Sequence, residues 1–128
     1  MQDRPSADEL AEAVREFIET EILPTIDDPR LRFRALVAAN GLGILEREIA
    51  IGGPLVRKEV GALMRLLGHT DAIPDDPGEV RRRAHDLNRE LVRRIRAGDA
   101  PEGTLAHLLA TIADKLLVAS PRYLERYR

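Results

Sequence analysis

The chain has 128 residues, no cysteine and a formal net charge of −2, enough length for one helical core and no route to disulfides, thiolate catalysis or cysteine-based zinc sites. Hydrophobic residues make up 44% and charged residues 33%, the balance of a folded chain rather than a disordered one, and the near-neutral charge argues against coating nucleic acid or an anionic membrane through the overall field. The longest apolar stretch, residues 35–45, is interrupted by Asn40 and too short to span a bilayer, and the start has no signal-peptide core, so a single cytoplasmic domain over residues 1–128 is expected.

"PSADEL" predicts the first helix, because Ser6 and Glu9 have capping-box spacing. Leu10, Val14, Phe17, Ile18 and Ile22 then share a face, and Pro24 ends the helix. Asp28 followed by Pro29 opens a second helix, expected to run to about Ile51, where "GGP" breaks it. A third helix follows Pro54 with Val56, Val60, Leu63, Met64 and Leu67 inward and Gly68 as its stop. Asp76, Pro77 and Glu79 start a fourth, with a stripe of Val80, Ala84, Leu87, Leu91 and Ile95. Thr104 is the expected cap of a fifth, carrying Leu105, Leu108, Leu109, Ile112 and Leu116. No window alternates with period two, so the fold class is all-α, a compact bundle of about five helices.

The second helix is apolar on two faces. Phe33, Leu36, Val37, Asn40, Ile44 and Ile51 gather on one side and Leu31, Ala35, Ala38, Leu42, Leu45 and Ile49 nearly opposite. It is therefore the central rod of the bundle or a helix whose second face lies in a homodimer interface. Gly41 and Gly43 suggest a tight crossing with another helix. Asn40 among aliphatic residues reads as a buried amide in need of a partner, either a structural one, a ligand or a contact across a two-fold axis, with Arg47 and Lys115 as further members of a candidate buried polar site. "GLGILE" lacks the third glycine and the preceding strand of a dinucleotide-binding loop.

The fourth helix holds seven arginines against three acidic residues between positions 79 and 96. Arg82, His85, Arg89, Arg93 and Arg96 lie away from its apolar stripe, a candidate face for an anion or a partner. Asp86 and Glu90 have the spacing to pair with Arg82 and Arg94, which is also the pattern of an ordinary ion-pair lattice. With no aromatic residue to stack bases, nucleic-acid binding is the less favoured reading. The first helix is acidic in compensation, so the two surfaces suit pairing within the fold or between subunits.

No catalytic pattern emerges. His69, His85 and His107 fall in no metal-ligand spacing, Ser6 and Ser120 sit in no nucleophile elbow, and Glu46 and Glu48 flank Arg47 but point to different sides. No metal, cofactor or catalytic residue is assigned, and enzymatic activity is not expected.

Taken together, "RFRALVAANGLGILEREI", "RRIRAGD" and "LLATIADKLLVASPRYL", with the opening "DRP" and its helix, resemble a family of short bacterial proteins termed domain of unknown function 6285. The resemblance implies genes placed near, and sometimes joined to, those of aminoglycoside-phosphotransferase-like kinases and acyl-CoA dehydrogenases. It thereby implies a non-enzymatic accessory role beside a kinase-like or acyl-CoA dehydrogenase partner, and it transfers no catalytic residue. The alternative is a binder of a small phosphate- or CoA-containing ligand, or an unrecognised enzyme, with a polar site near Asn40.

Overall fold

A computed structural model describes residues 3–126. Its elements in chain order are α1 (Ala7–Phe17), α2 (Pro29–Arg47), α3 (Gly53–Leu67), α4 (Pro77–Arg96), α5 (Thr104–Ala119) and the short α6 (Pro121–Arg126). Among the described residues there is no strand, so the fold is an all-α bundle.

The helix starts follow from local chemistry. At α1 the Glu9 carboxylate accepts from the Ser6 amide at 3.4 Å, while the Ser6 hydroxyl donates to Asp8 and Glu9. Asp28 and Asp76 cap α2 and α4 by accepting from the amides of Arg30 and Glu79, each with proline in the first turn, where its missing N–H costs nothing. Gly68 ends α3 at φ +79°, a conformation open to glycine without steric penalty. Thr104 is not the cap of α5. Gly103 takes that place at φ +91°, and the Thr104 hydroxyl donates back to the Pro101 carbonyl at 2.6 Å.

"GGP" does not break the chain as its composition suggests. Glu48–Gly52 form a π-helical turn, Gly52 and Gly53 keep right-handed helical angles, and Pro54 sits in the first turn of α3, a position that needs no amide donor. A second π turn, Ile18–Ile22, extends α1 toward a short 3₁₀ segment at Leu23–Thr25.

The core lies between α3 and α4. Val60, Leu63, Met64, Val80, Ala84, Leu87 and Leu91 form one buried cluster, flanked by Val56, Leu66, Leu67, Ile73 and Leu108. Each fully buried Leu or Val there contributes about 1.5–3 kcal/mol. The loop after α3 is tied down by polar bonds: His69 Nε2 meets Glu90 at 2.8 Å, Arg83 pairs with Asp71 at 3.1 Å, and Arg57 donates to the Pro74 carbonyl.

The α1–α2 hairpin is built differently. Its buried residues are small or few: Ala11 on α1, Leu23 beyond it, and Ala39 and Gly43 on α2. Leu10, Val14 and Phe17 of α1 and Leu31, Phe33, Leu36, Val37 and Leu45 of α2 are exposed, so neither apolar face of α2 is fully covered within one chain. The close crossing occurs at Gly43, where a Cβ would stand 3.7 Å from Arg15 Cδ, but not at Gly41, which has nothing within 4 Å. On α5 the predicted stripe is split: Leu108 packs against the core and Leu116 is half-buried, whereas Leu105 and Leu109 turn outward, 71% and 61% exposed. Among the described residues no helix is long and apolar enough to cross a membrane.

Candidate functional site

Two recesses flank the C-terminal end of α5, where Ala119 borders both. The first is a cavity of about 360 Å³ among α2, the Glu48–Gly52 turn, α3, α4 and α5. Ile44, Leu55, Val56 and Val118 supply its apolar lining. Every charge on its rim is answered: Glu48 by Arg81 at 3.2 Å, Asp114 by Lys58 at 2.7 Å, and Glu59 by Asn88 at 3.0 Å and Lys115 at 3.5 Å. Gly52 makes room for this arrangement, since a Cβ there would meet the Glu48 carboxylate at 2.5 Å.

The second recess is a larger cleft of about 810 Å³ between α1, α2 and the α5–α6 corner. Its floor is an ion pair between helices. Arg15 Nε donates to Glu46 at 2.6 Å and its NH2 group donates to the other carboxylate oxygen at 3.3 Å, while NH1 reaches Glu19 at 3.1 Å. The hydrogen bond to Glu46, with the negative charges of Glu46 and Glu19, holds Arg15 protonated well above the ordinary arginine value against the opposing effect of partial burial. Arg47 is half-buried beside this pair and donates from Nε to the Val118 carbonyl at 2.7 Å. Asn40, Ser120 and Arg122 complete the polar lining.

The residues expected to form one buried polar site are therefore divided. Asn40 and Arg47 line the second recess, and Lys115 lines the first. Asn40 is exposed, because α2 turns Ala39 and Gly43 toward α1 and leaves Asn40 on the open cleft. Its amide is thus hydrated and does not require a protein partner in this chain. Lys115 is also exposed, at 65% of its side chain, its ammonium reaching across to Glu59 on α3, a carboxylate that is itself nearly buried. Glu46 and Glu48 do diverge, one into each recess.

Arg82, His85, Arg89, Arg93 and Arg96 are all exposed on α4. The expected lattice along that helix is replaced by longer-range pairs: Glu90 bonds His69, Arg94 pairs with Asp99, and Arg81 and Arg83 reach Glu48 and Asp71. α1 and α4 do not touch, so the acidic and basic surfaces do not neutralise each other within the chain.

Sequence reasoning missed Arg15, Ser120 and Arg122. Arg15 and Glu46 are 31 residues apart, a pairing that no local pattern signals. No histidine lines either recess, and among the described residues no group of three His, Cys, Asp or Glu is placed to hold a metal ion. The geometry of the cleft suits binding rather than proton transfer, because its carboxylates are committed to Arg15.

No curated protein and no solved structure matches this chain. Residues 24–123 match the family described as Domain of unknown function (DUF6285), a span that takes in α2 to α5, the whole of the first recess and all of the second except Arg15 and Glu19, and the chain belongs to that family.

Proposed function

We propose that this chain is a non-enzymatic accessory protein that works by association, first with a second copy of itself. The observation that carries the reading is its surface. The chain exposes 9318 Å², whereas a compact monomer of 14.3 kDa has about 6,800 Å² by the usual scaling of area with mass. The excess is about 2,500 Å², which is the top of what each partner buries in an obligate dimer.

The hairpin has the right face for it. Arg15, Glu19, Asn40 and Arg47 place one flank of the α1–α2 pair in the open cleft. At 100° per residue, Leu10, Val14 and Phe17 of α1 and Leu31, Ala38 and Leu45 of α2, with Ile49 in the turn that continues it, fall on the opposite flank. The six large residues among these are 43–51% exposed, an apolar surface of the kind that marks association sites. Charge supports self-pairing as well. α1 carries four acidic residues and one arginine, whereas α2 carries four arginines and one glutamate. An isologous contact that lays α1 of one copy beside α2 of the other makes a four-helix core with opposite charges at its rim.

The outward stripe on α5, Leu105, Leu109 and Ile112, then remains for the accessory partner, in the class of phosphotransferase-like kinases or acyl-CoA dehydrogenases that the family resemblance implies. The test is sedimentation velocity of the wild type, Phe17→Gln/Leu45→Gln and Leu105→Gln/Leu109→Gln. The hairpin variant is expected to become monomeric with its helicity intact, and the α5 variant to remain dimeric. The opposite assignment, or a hairpin variant that stays dimeric, overturns the reading.

A further inference from the structure

We infer that the cleft between the hairpin and the α5–α6 corner is a binding site for a phosphate monoester on a small soluble molecule. Four polar groups from two separate parts of the chain converge there, and none is spent on a carboxylate. Arg47 and Asn40 stand two turns apart on the same side of α2, and Ser120 and Arg122 come from the corner.

The state of Arg47 is the strongest sign. It is half-buried, yet among the described residues no carboxylate lies within 4 Å of it. Among the described residues its hydrogen bond is from Nε to the Val118 carbonyl at 2.7 Å, which fixes the plane of the guanidinium and leaves both terminal nitrogens as donors. Arg47 lines the cleft with those donors free of any carboxylate among the described residues, so an anion there would replace water with charge-assisted hydrogen bonds. The neighbouring carboxylates do not compete. Glu46 is held in two bonds by Arg15, and Glu19 is drawn to the same guanidinium.

The chemistry selects the ligand class. Among the described residues neither Arg47 nor Arg122 is paired with a carboxylate, and with Arg15 set against Glu19 and Glu46 the cleft keeps a net charge of +1, which favours an anion such as a phosphate monoester, near-dianionic above its second pKa of about 6. A tetrahedral oxyanion also uses donors from several directions, which two guanidiniums, an amide and a hydroxyl provide. The rest of the molecule has room, because the cleft of about 810 Å³ lies within the range of small-ligand sites. Leu36, Ala39 and Pro121 offer it an apolar wall. The site lies on the flank opposite the proposed dimer face and stands independently of it.

The test is a titration of the isotope-labelled full chain, followed by NMR, with inorganic phosphate and then adenosine 5′-monophosphate at constant ionic strength above pH 7. Saturable shifts are expected at the Asn40 side-chain amide and the Arg47 Nε–H. Arg122→Gln, an exposed change that spares the fold, should weaken binding about tenfold, the worth of one charge-assisted bond. Arg82→Gln on α4 should leave it unchanged. A flat titration, or equal weakening by both substitutions, overturns the proposal, the latter by reducing it to general charge attraction. Retention by vesicles containing phosphatidic acid, without response to adenosine monophosphate, overturns it in favour of a lipid headgroup.

Discussion

The Arg15–Glu46 pair should be the main specific tie between α1 and α2, and a double-mutant cycle measures it. The hairpin interface holds no large buried aliphatic besides Leu23; Ala11, Ala39 and Gly43 let the backbones approach but bury little area. Across that interface Arg15 meets Glu46 through two bonds, with the side chains 25% and 18% exposed. Exposed ion pairs are worth about 0.2–1 kcal/mol, and breaking fully buried ones costs about 3–5 kcal/mol. This pair lies between those limits, so the coupling energy from Arg15→Met, Glu46→Gln and the double variant should be about 1–2 kcal/mol. Glu46→Gln alone should cost less than Arg15→Met, since Arg15 keeps Glu19 at 3.1 Å. With a urea slope of about 1–3 kcal/mol per M, each single change should lower the denaturation midpoint by roughly 0.5–1 M. Arg15 is raised above an already high value; its contribution is fully present below the unfolded value and is lost only as pH rises through the folded one, so the coupling should be flat between pH 6 and 9 as to Arg15. A coupling below about 0.3 kcal/mol would refute the claim that this pair sets the hairpin.

Three further outcomes follow from the same geometry. Leu63→Ala, at a fully buried core position, should cost about 2–5 kcal/mol in chemical denaturation, far more than any substitution on the hairpin flank. Gly41→Ala should raise stability by up to about 1 kcal/mol in the same assay, because the position is an exposed helix interior with open space where the methyl would go; a loss there would mean that something packs on it. Asp8 is held below the ordinary aspartate value of 3.8, chiefly by the Ser6 hydroxyl. Its support of α1 is therefore present above 3.8 and lost as pH falls through its folded value, so acid loss of helicity should begin at higher pH in Ser6→Ala than in wild type, as followed by circular dichroism.

The parts of the fold that were legible in the sequence are those whose apolar faces are covered inside the chain. The stripes Val60–Leu63–Met64 and Val80–Ala84–Leu87–Leu91 read directly as the core, because there periodicity and burial coincide. On α1, α2 and α5 periodicity identified residues that share a face, but it carries no information on what covers that face, and Leu10, Phe33 and Leu105 prove to be exposed. Asn40 was misjudged by its neighbours for the same reason. Small and aliphatic residues around it suggest burial, yet helix rotation puts it on the cleft. "GGP" misleads because two glycines in right-handed angles and a proline in a first turn are compatible with helix. The cleft itself was invisible as a unit, since its members at positions 15, 40, 47 and 122 meet only through tertiary packing.

The central claim is that the exposed hairpin face belongs to a pair of chains, and the most direct measurement is the solution mass by light scattering across the micromolar range at moderate salt. A species of twice 14.3 kDa is expected throughout that range, and a mass of one chain at every concentration would rule the dimer out.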